Sequence, residues 1–504
     1  MADRSRNSEE RQLKTISRTV FGDAVDDPDV VKEDDQRNGT AEGQPLVERT
    51  PSNDSPEVGN NNGIQGPSES GTDDTASSGD VNPLVDTRVK FNVMAIFFIQ
   101  GIGTLYPWNS FLTVEWFFTD YKFANVSDST EYKDKFNLYI TFGNFAVYVL
   151  FLFIALFFAG SRSKLQCFVC LVLQLFLFIF TTILAAVDSS QWPGAFFGVT
   201  MVIVVLFSAG SAVYQSGMYS LAAKIPGSYS INSYIAGQGC GGTFVAVFTI
   251  ISTRVTDSLR GLAIMHFSIA SVVLLVCTIT YRLLFKLDYV RSALPRGHDQ
   301  AKAWDFSRKN LRNLWKIVKI AKWQIFNIGM TFFVTLQLYP EVLGNIQSSN
   351  IPKTSPNFRE KYFILLVCFL TFNSCDFIGS VLAGVQKRRF PRMTCIAVII
   401  RVIFILFIFC NYRPDQRTLP VWLKNDIAYA FFVVVFSLSN GYLKTTIVDD
   451  GINSVSDRAL KSKAASVMLF FLVLGIFLGV AFSRVYPMVV NIPQMAPNAN
   501  VTMQ

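Results

Sequence analysis

An all-α integral membrane protein with eleven spanning helices, six followed by five, is the fold class this sequence predicts. Half of the 504 residues are hydrophobic, and the mean hydropathy is +0.33. The apolar residues gather in unbroken stretches of the roughly 20 residues that a hydrocarbon core of about 30 Å requires, not at the short periods of soluble strands and helices. A basic connection, Lys286 to Lys322, divides the stretches into two sets.

The first set is Phe91 to Thr113, Phe136 to Gly160, Leu165 to Val187, Gly194 to Ala223, Tyr234 to Ser252 and Gly261 to Phe285. The second is Gln324 to Leu343, Tyr362 to Gly384, Met393 to Cys410, Ile427 to Thr446 and Ala464 to Val485. An odd number of spans puts the termini on opposite sides. Lysine and arginine collect on the cytosolic side of membrane proteins, and here they mark one side throughout: Arg88 and Lys90, Arg162 and Lys164, the connection after the sixth span, and Lys387, Arg388, Arg389 and Arg392. The N-terminus is therefore expected in the cytosol and the C-terminus outside, most naturally in a plasma membrane. The sequons Asn125-Val126-Ser127 and Asn500-Val501-Thr502 then fall where glycosylation is possible.

Residues 1–85 are of different material. They hold 18 acidic against 8 basic residues and almost no aromatics, a composition that cannot bury enough surface to offset ordering entropy. A disordered cytosolic tail is expected, followed by a six-helix bundle over 86–285, a basic loop over 286–323, a five-helix bundle over 324–487 and a short outer tail over 488–504. No signal peptide is visible, so the first span serves as the insertion signal. The net charge of +8 reads as the positive-inside signature, not as a nucleic-acid surface. All eight cysteines lie in or beside apolar runs, which implies no disulfide framework. The Cys167/Cys170 pair lacks neighbouring metal ligands and reads as packing. Neither histidine has ligand spacing, the chain lacks a phosphate-binding GxxxxGK[ST] loop, and no catalytic constellation recurs at one depth. The sequence therefore calls for no enzyme, cofactor or metal, and a signalling receptor would need seven spans.

Chemistry resides where the spans depart from plain aliphatics. Asp376 lies inside Tyr362 to Gly384, and a charge at the bilayer centre costs about 2.5 to 3.5 kcal/mol or more unless it faces a protein interior or a watered cavity. A pathway for a polar solute follows. The first span reads Gly101-Ile102-Gly103-Thr104-Leu105-Tyr106-Pro107-Trp108-Asn109, glycines and then a proline, the broken-helix device of transporters and also a packing device. Gln215 puts a side-chain amide in the fourth span, either for a ligand or for an interhelical hydrogen bond. The run Gly237-Gln238-Gly239-Cys240-Gly241-Gly242 favours close helix approach.

Together with Phe372-Asn373-Ser374-Cys375-Asp376-Phe377-Ile378-Gly379 and Ser439-Asn440-Gly441-Tyr442, these segments, in order and with fitting spacing from Phe91 to Val485, resemble the equilibrative nucleoside transporter family. The resemblance implies a fold related to the major facilitators and facilitative nucleoside or nucleobase transport by alternating access, as a monomer. It also implies a pocket walled by Leu105, Trp108, Leu112, Ile140, Tyr339 and Pro340, with Gln215 reading the base and Asp376, beside Asn373, engaging the sugar hydroxyls. Such a pocket suits an amphipathic solute with an aromatic face and a polar edge. One position departs from the family: an arginine usually follows the acid by four residues, and here Ser380 stands there. The acid is then expected either to reach Arg401 in the ninth span or to sit uncompensated. That keeps a proton-linked nucleoside carrier and an organic-cation or monoamine carrier of the same fold as alternatives. Ser211, where the family has glycine, narrows the pocket.

Overall fold

The computed structural model describes residues 83–123, 133, 135–157, 163–294, 305–349, 362–386, 391–414 and 417–491. Both sequons at Asn125 and Asn500, residues 1–82 of the acidic tail, Arg162 and the basic run 387–389 lie outside these residues. The described chain is helical, and its only extended pairings are two isolated bridges, Ile346 with Tyr412 and Cys410 with Leu423.

Among the described residues, ten helices are long and apolar enough to cross a membrane. The first set is Thr87–Thr113, Phe136–Ala155, Lys164–Ala186, Pro193–Ala222, Tyr229–Val255 and Leu259–Leu284; the second contributes Ile364–Val385, Arg392–Phe409, Asp426–Asn453 and Leu460–Val490. The expected seventh span is the exception. Lys322–Leu338 has 17 residues, about 25 Å at 1.5 Å per residue, and joins the amphipathic helix Arg308–Ile320 at a bend of 76°. With the bent pair taken as one span the total is eleven. The short seventh span ends where Tyr339 turns extended, the conformation imposed on a residue before proline.

Two spans carry local irregularities beside the polar residues. The eighth opens with a wide π-type segment, Ile364–Leu370, before the regular helix Thr371–Val385 that holds Asp376. The ninth tightens from an α-helix to a 3-10 helix at Arg401. Such departures from α-geometry concentrate at functional sites.

In the first set the third span packs on the fourth and sixth, and the fourth on the second; in the second set the eighth packs on the tenth and the seventh on the eleventh. The fifth span joins the sets by packing on the eighth, and the eleventh reaches back to the second and fourth. Glycines make the fifth-span contacts possible. A Cβ at Gly101 would lie 2.9 Å from the backbone nitrogen of Gln238, and one at Gly239 would lie 2.9 Å from Cα of Phe377 and 3.1 Å from Oδ2 of Asp376. Small residues are what lets membrane helices approach this closely. The Gln100 amide, fully buried, ties the first span to the sixth and fourth: Nε2 donates to the Cys277 carbonyl and to Thr280 Oγ1, each at 2.8 Å, and Oε1 accepts from the Tyr214 hydroxyl at 2.6 Å.

Candidate substrate site

Asp376 is 5% exposed, and four spans converge on it. Asn440 of the tenth span donates from Nδ2 to Oδ1 at 2.7 Å, while Lys444, one turn further along the same helix, donates from Nζ to Oδ2. The Asn440 side-chain oxygen accepts from the Thr335 hydroxyl of the seventh span at 2.7 Å. Arg401 of the ninth span reaches the same two groups, donating to Thr335 Oγ1 at 2.8 Å and to Asn440 Oδ1 at 3.4 Å. It is anchored further by the Phe436 carbonyl at 2.7 Å and by Ser439, with its guanidinium 4.6 Å from the Phe436 ring centroid. This is how a chain holds a carboxylate at membrane depth: it is paired and hydrogen-bonded on both oxygens.

Neither outcome expected for the acid occurs. Arg401 lies one residue removed, bridged through Asn440, and the direct cation is Lys444. Ser380 brings no charge; its hydroxyl donates back to the Asp376 carbonyl at 2.9 Å and approaches the Gly441 carbonyl at 3.3 Å, so it serves the contact between the eighth and tenth spans.

Gln215 sits in a second polar group, on the first set. Tyr148 of the second span donates its hydroxyl to Gln215 Oε1 and lies 3.4 Å from the Ser211 carbonyl. The Ser211 hydroxyl in turn donates to Gln174 Oε1 of the third span at 3.1 Å. Ser211 therefore fastens the fourth span to the third, and the side-chain oxygen of Gln215 is engaged by Tyr148.

Trp108 is buried and meets the Phe145 ring edge-on, with centroids 5.8 Å apart. Ile140, also buried, lies along the second span with Phe145, and Leu105 and Leu112 are half-buried on the first. Tyr339 stacks on Phe372 at 3.8 Å, and its hydroxyl accepts from Asn373 Nδ2 at 3.1 Å. The stack and the hydrogen bond hold an aromatic face and an amide within a turn of Asp376.

A protein-family model described as nucleoside transporter matches residues 199–488, more than half of the chain. The chain belongs to the nucleoside transporter family. Equilibrative nucleoside transporter 3 of Rattus norvegicus is 29% identical, the alignment covering 78% of this chain and 88% of that protein. Equilibrative nucleoside transporters 1 and 2 of Homo sapiens are each 27% identical over 79% of this chain and 97% and 98% of theirs. The crystal structure of a point mutant of the nucleoside transporter NupG covers 79% of this chain and 92% of its own at 14% identity, with a TM-score of 0.45.

For this nucleoside transporter family member, the polar residues that sequence reasoning missed are Lys444, Thr335 and Tyr148. Lys444 carried a signal: a lysine inside an apolar run is as costly as an aspartate there. Thr335 and Tyr148 carried none, since hydroxyl residues are common in membrane helices and only the neighbouring span gives them a partner.

Proposed function

We propose that this chain is a facilitative carrier of nucleosides, uridine and adenosine among them, working as a monomer by alternating access between its first six and last five spans. The proposal includes a plasma-membrane location with the N-terminus cytosolic and the C-terminus extracellular. The observation that carries it is the family match over 199–488, which takes in Gln215, Asn373, Asp376 and Asn440. The chemistry agrees. A nucleoside presents an aromatic face, which suits Trp108, Ile140 and Tyr339, and a hydroxylated sugar edge, which suits a hydrogen-bonded acid.

The organic-cation alternative fares worse, because both carboxylate oxygens of Asp376 are already engaged, one by an ammonium. The deciding experiment is uptake of radiolabelled uridine, adenosine and hypoxanthine into liposomes holding the purified protein, with and without a proton gradient. Uptake that stops at equal concentrations inside and out supports the proposal. Accumulation driven by the gradient favours the proton-linked carrier, and no uptake of any of the three overturns nucleoside transport.

A further inference from the structure

Asp376 is committed before any solute arrives. Its two oxygens take an amide N–H from Asn440 and an N–H from Lys444, and Arg401 stands behind Asn440 on the same oxygen relay. The cluster contains one acid and two cations. Counted by residue type, one acidic and two basic side chains give the buried cluster a formal charge of +1. All three charged side chains are buried, where solvent does little to screen them.

The pairing comes from an unexpected helix. The position four residues after the acid, which shares a face with it, is Ser380, and its hydroxyl is spent on backbone carbonyls. The cation arrives instead from the tenth span, at Lys444. An ammonium has three N–H donors, and Asp376 takes one of them.

We propose that Lys444 is a specificity-determining residue of the transport site: by closing on Asp376 it leaves a buried cluster of net positive charge that turns organic cations away and admits neutral solutes through their oxygen-rich edges. A cation brought to this cluster meets two like charges and no open carboxylate oxygen. A sugar hydroxyl or a base carbonyl meets the remaining ammonium donors. With Lys444 removed, Oδ2 of Asp376 becomes an open acceptor and the cluster falls to zero net charge, which is how a protein receives an amine. The inference rests on the nucleoside reading only in its uridine arm.

The test compares native protein, Lys444→Met, Lys444→Gln and Lys444→Arg in proteoliposomes, at matched amounts of inserted protein, for uptake of uridine and of the permanent cation N-methyl-4-phenylpyridinium. The native protein and Lys444→Arg are expected to exclude the cation. Lys444→Met is expected to lose at least ten-fold in uridine uptake and to gain saturable cation uptake at least five-fold above native. Lys444→Gln, similar in length, is expected to show the same gain and stands in if the methionine variant fails to insert. Cation uptake by the native protein equal to that of the variants overturns the inference, as does loss of uridine uptake without any gain for the cation. A native protein that carries no uridine refutes the nucleoside reading and leaves the cation comparison decisive for Lys444.

Discussion

Lys444 and Asp376 are separated by 68 residues and by a whole span, yet they meet as an ion pair whose side chains are 8% and 7% exposed. Removing one member of such a pair strands the other in a medium that cannot solvate it, at a cost of about 3 to 5 kcal/mol. Asp376→Asn keeps the shape and strands the ammonium. Uridine uptake is expected to fall by more than a hundred-fold at equal surface amount; uptake within two-fold of native would remove Asp376 from the substrate site.

Ser380→Arg places a third cation beside a single acid, in a position with no exposure. The single variant is expected to lose transport. Pairing it with Lys444→Ala returns the charge count to that of the native site and opens volume in the facing span, so the double variant is expected to recover at least a tenth of native uptake. Equal activity of the single and double variants would show that the two positions do not share the acid.

Gln215→Leu keeps the side-chain volume and removes the side-chain acceptor of the Tyr148 hydroxyl, leaving it the Ser211 carbonyl at 3.4 Å. A site built around a polar group loses about 1 to 3 kcal/mol when that group vanishes, so the apparent Km for nucleosides should rise by about ten-fold or more. Full uptake by a surface-expressed Gln215→Leu protein would return Gln215 to a packing role. The matching apolar test is Trp108→Ala against Phe176→Ala, the latter ring being 63% exposed; only the first is expected to change Km.

A pH dependence is expected at the end of the first span, just beyond Thr113. Burial pushes the Glu115 carboxyl up to about 7, with Glu341 adding to the rise, Arg484 and the Asn137 amide opposing it, and Asp120 raising it slightly. Glu115 Oε2 accepts from Asn137 Nδ2 at 3.1 Å, while Glu341 is held by Arg413 at 3.1 Å and Arg484 at 3.9 Å. A raised acid pKa means that the stabilisation of this arrangement is complete below the ordinary carboxyl range, near 4.5, and is lost as pH rises through about 7. Transport rate measured from pH 5.5 to 8 should therefore bend near 7, and Glu115→Gln should flatten the bend. An unchanged profile in the variant would assign the bend elsewhere.

Gly239→Ala puts a methyl group 2.9 Å from a backbone carbon of the eighth span. Backbone cannot swing aside as a side chain can, so about 1 to 3 kcal/mol of overpacking is expected. It should be read as a lower melting temperature of the detergent-purified protein. An unchanged melting temperature would mean that the spans part easily here.

The spans were legible because burial in lipid demands long apolar runs and nothing else produces them. The break at Ala321 was not, since Arg308–Ile320 alternates charge with Leu311, Leu314 and Ile317 at helical spacing, and charge dominates its average. Asp376 and Gln215 stood out as polar residues within apolar runs. Lys444 obeyed the same rule but lies two residues after Ser439-Asn440-Gly441-Tyr442, whose polar residues mask the charge. The tenth helix also runs to Asn453, past the expected end at Thr446, because Asp449 is buried within the protein. Hydropathy cannot see a carboxylate that finds shelter there.

The fifth span meets the first and the eighth almost backbone to backbone. Interlocked side chains make a ratchet, in which one helix must climb over the ridges of another to shift. A seam floored by Gly101, Gly239 and Gly241 has no teeth. Close backbone approach, not side-chain interlock, sets the spacing there, and Asp376 sits at its edge, its Oδ2 3.1 Å from where a Cβ on Gly239 would stand.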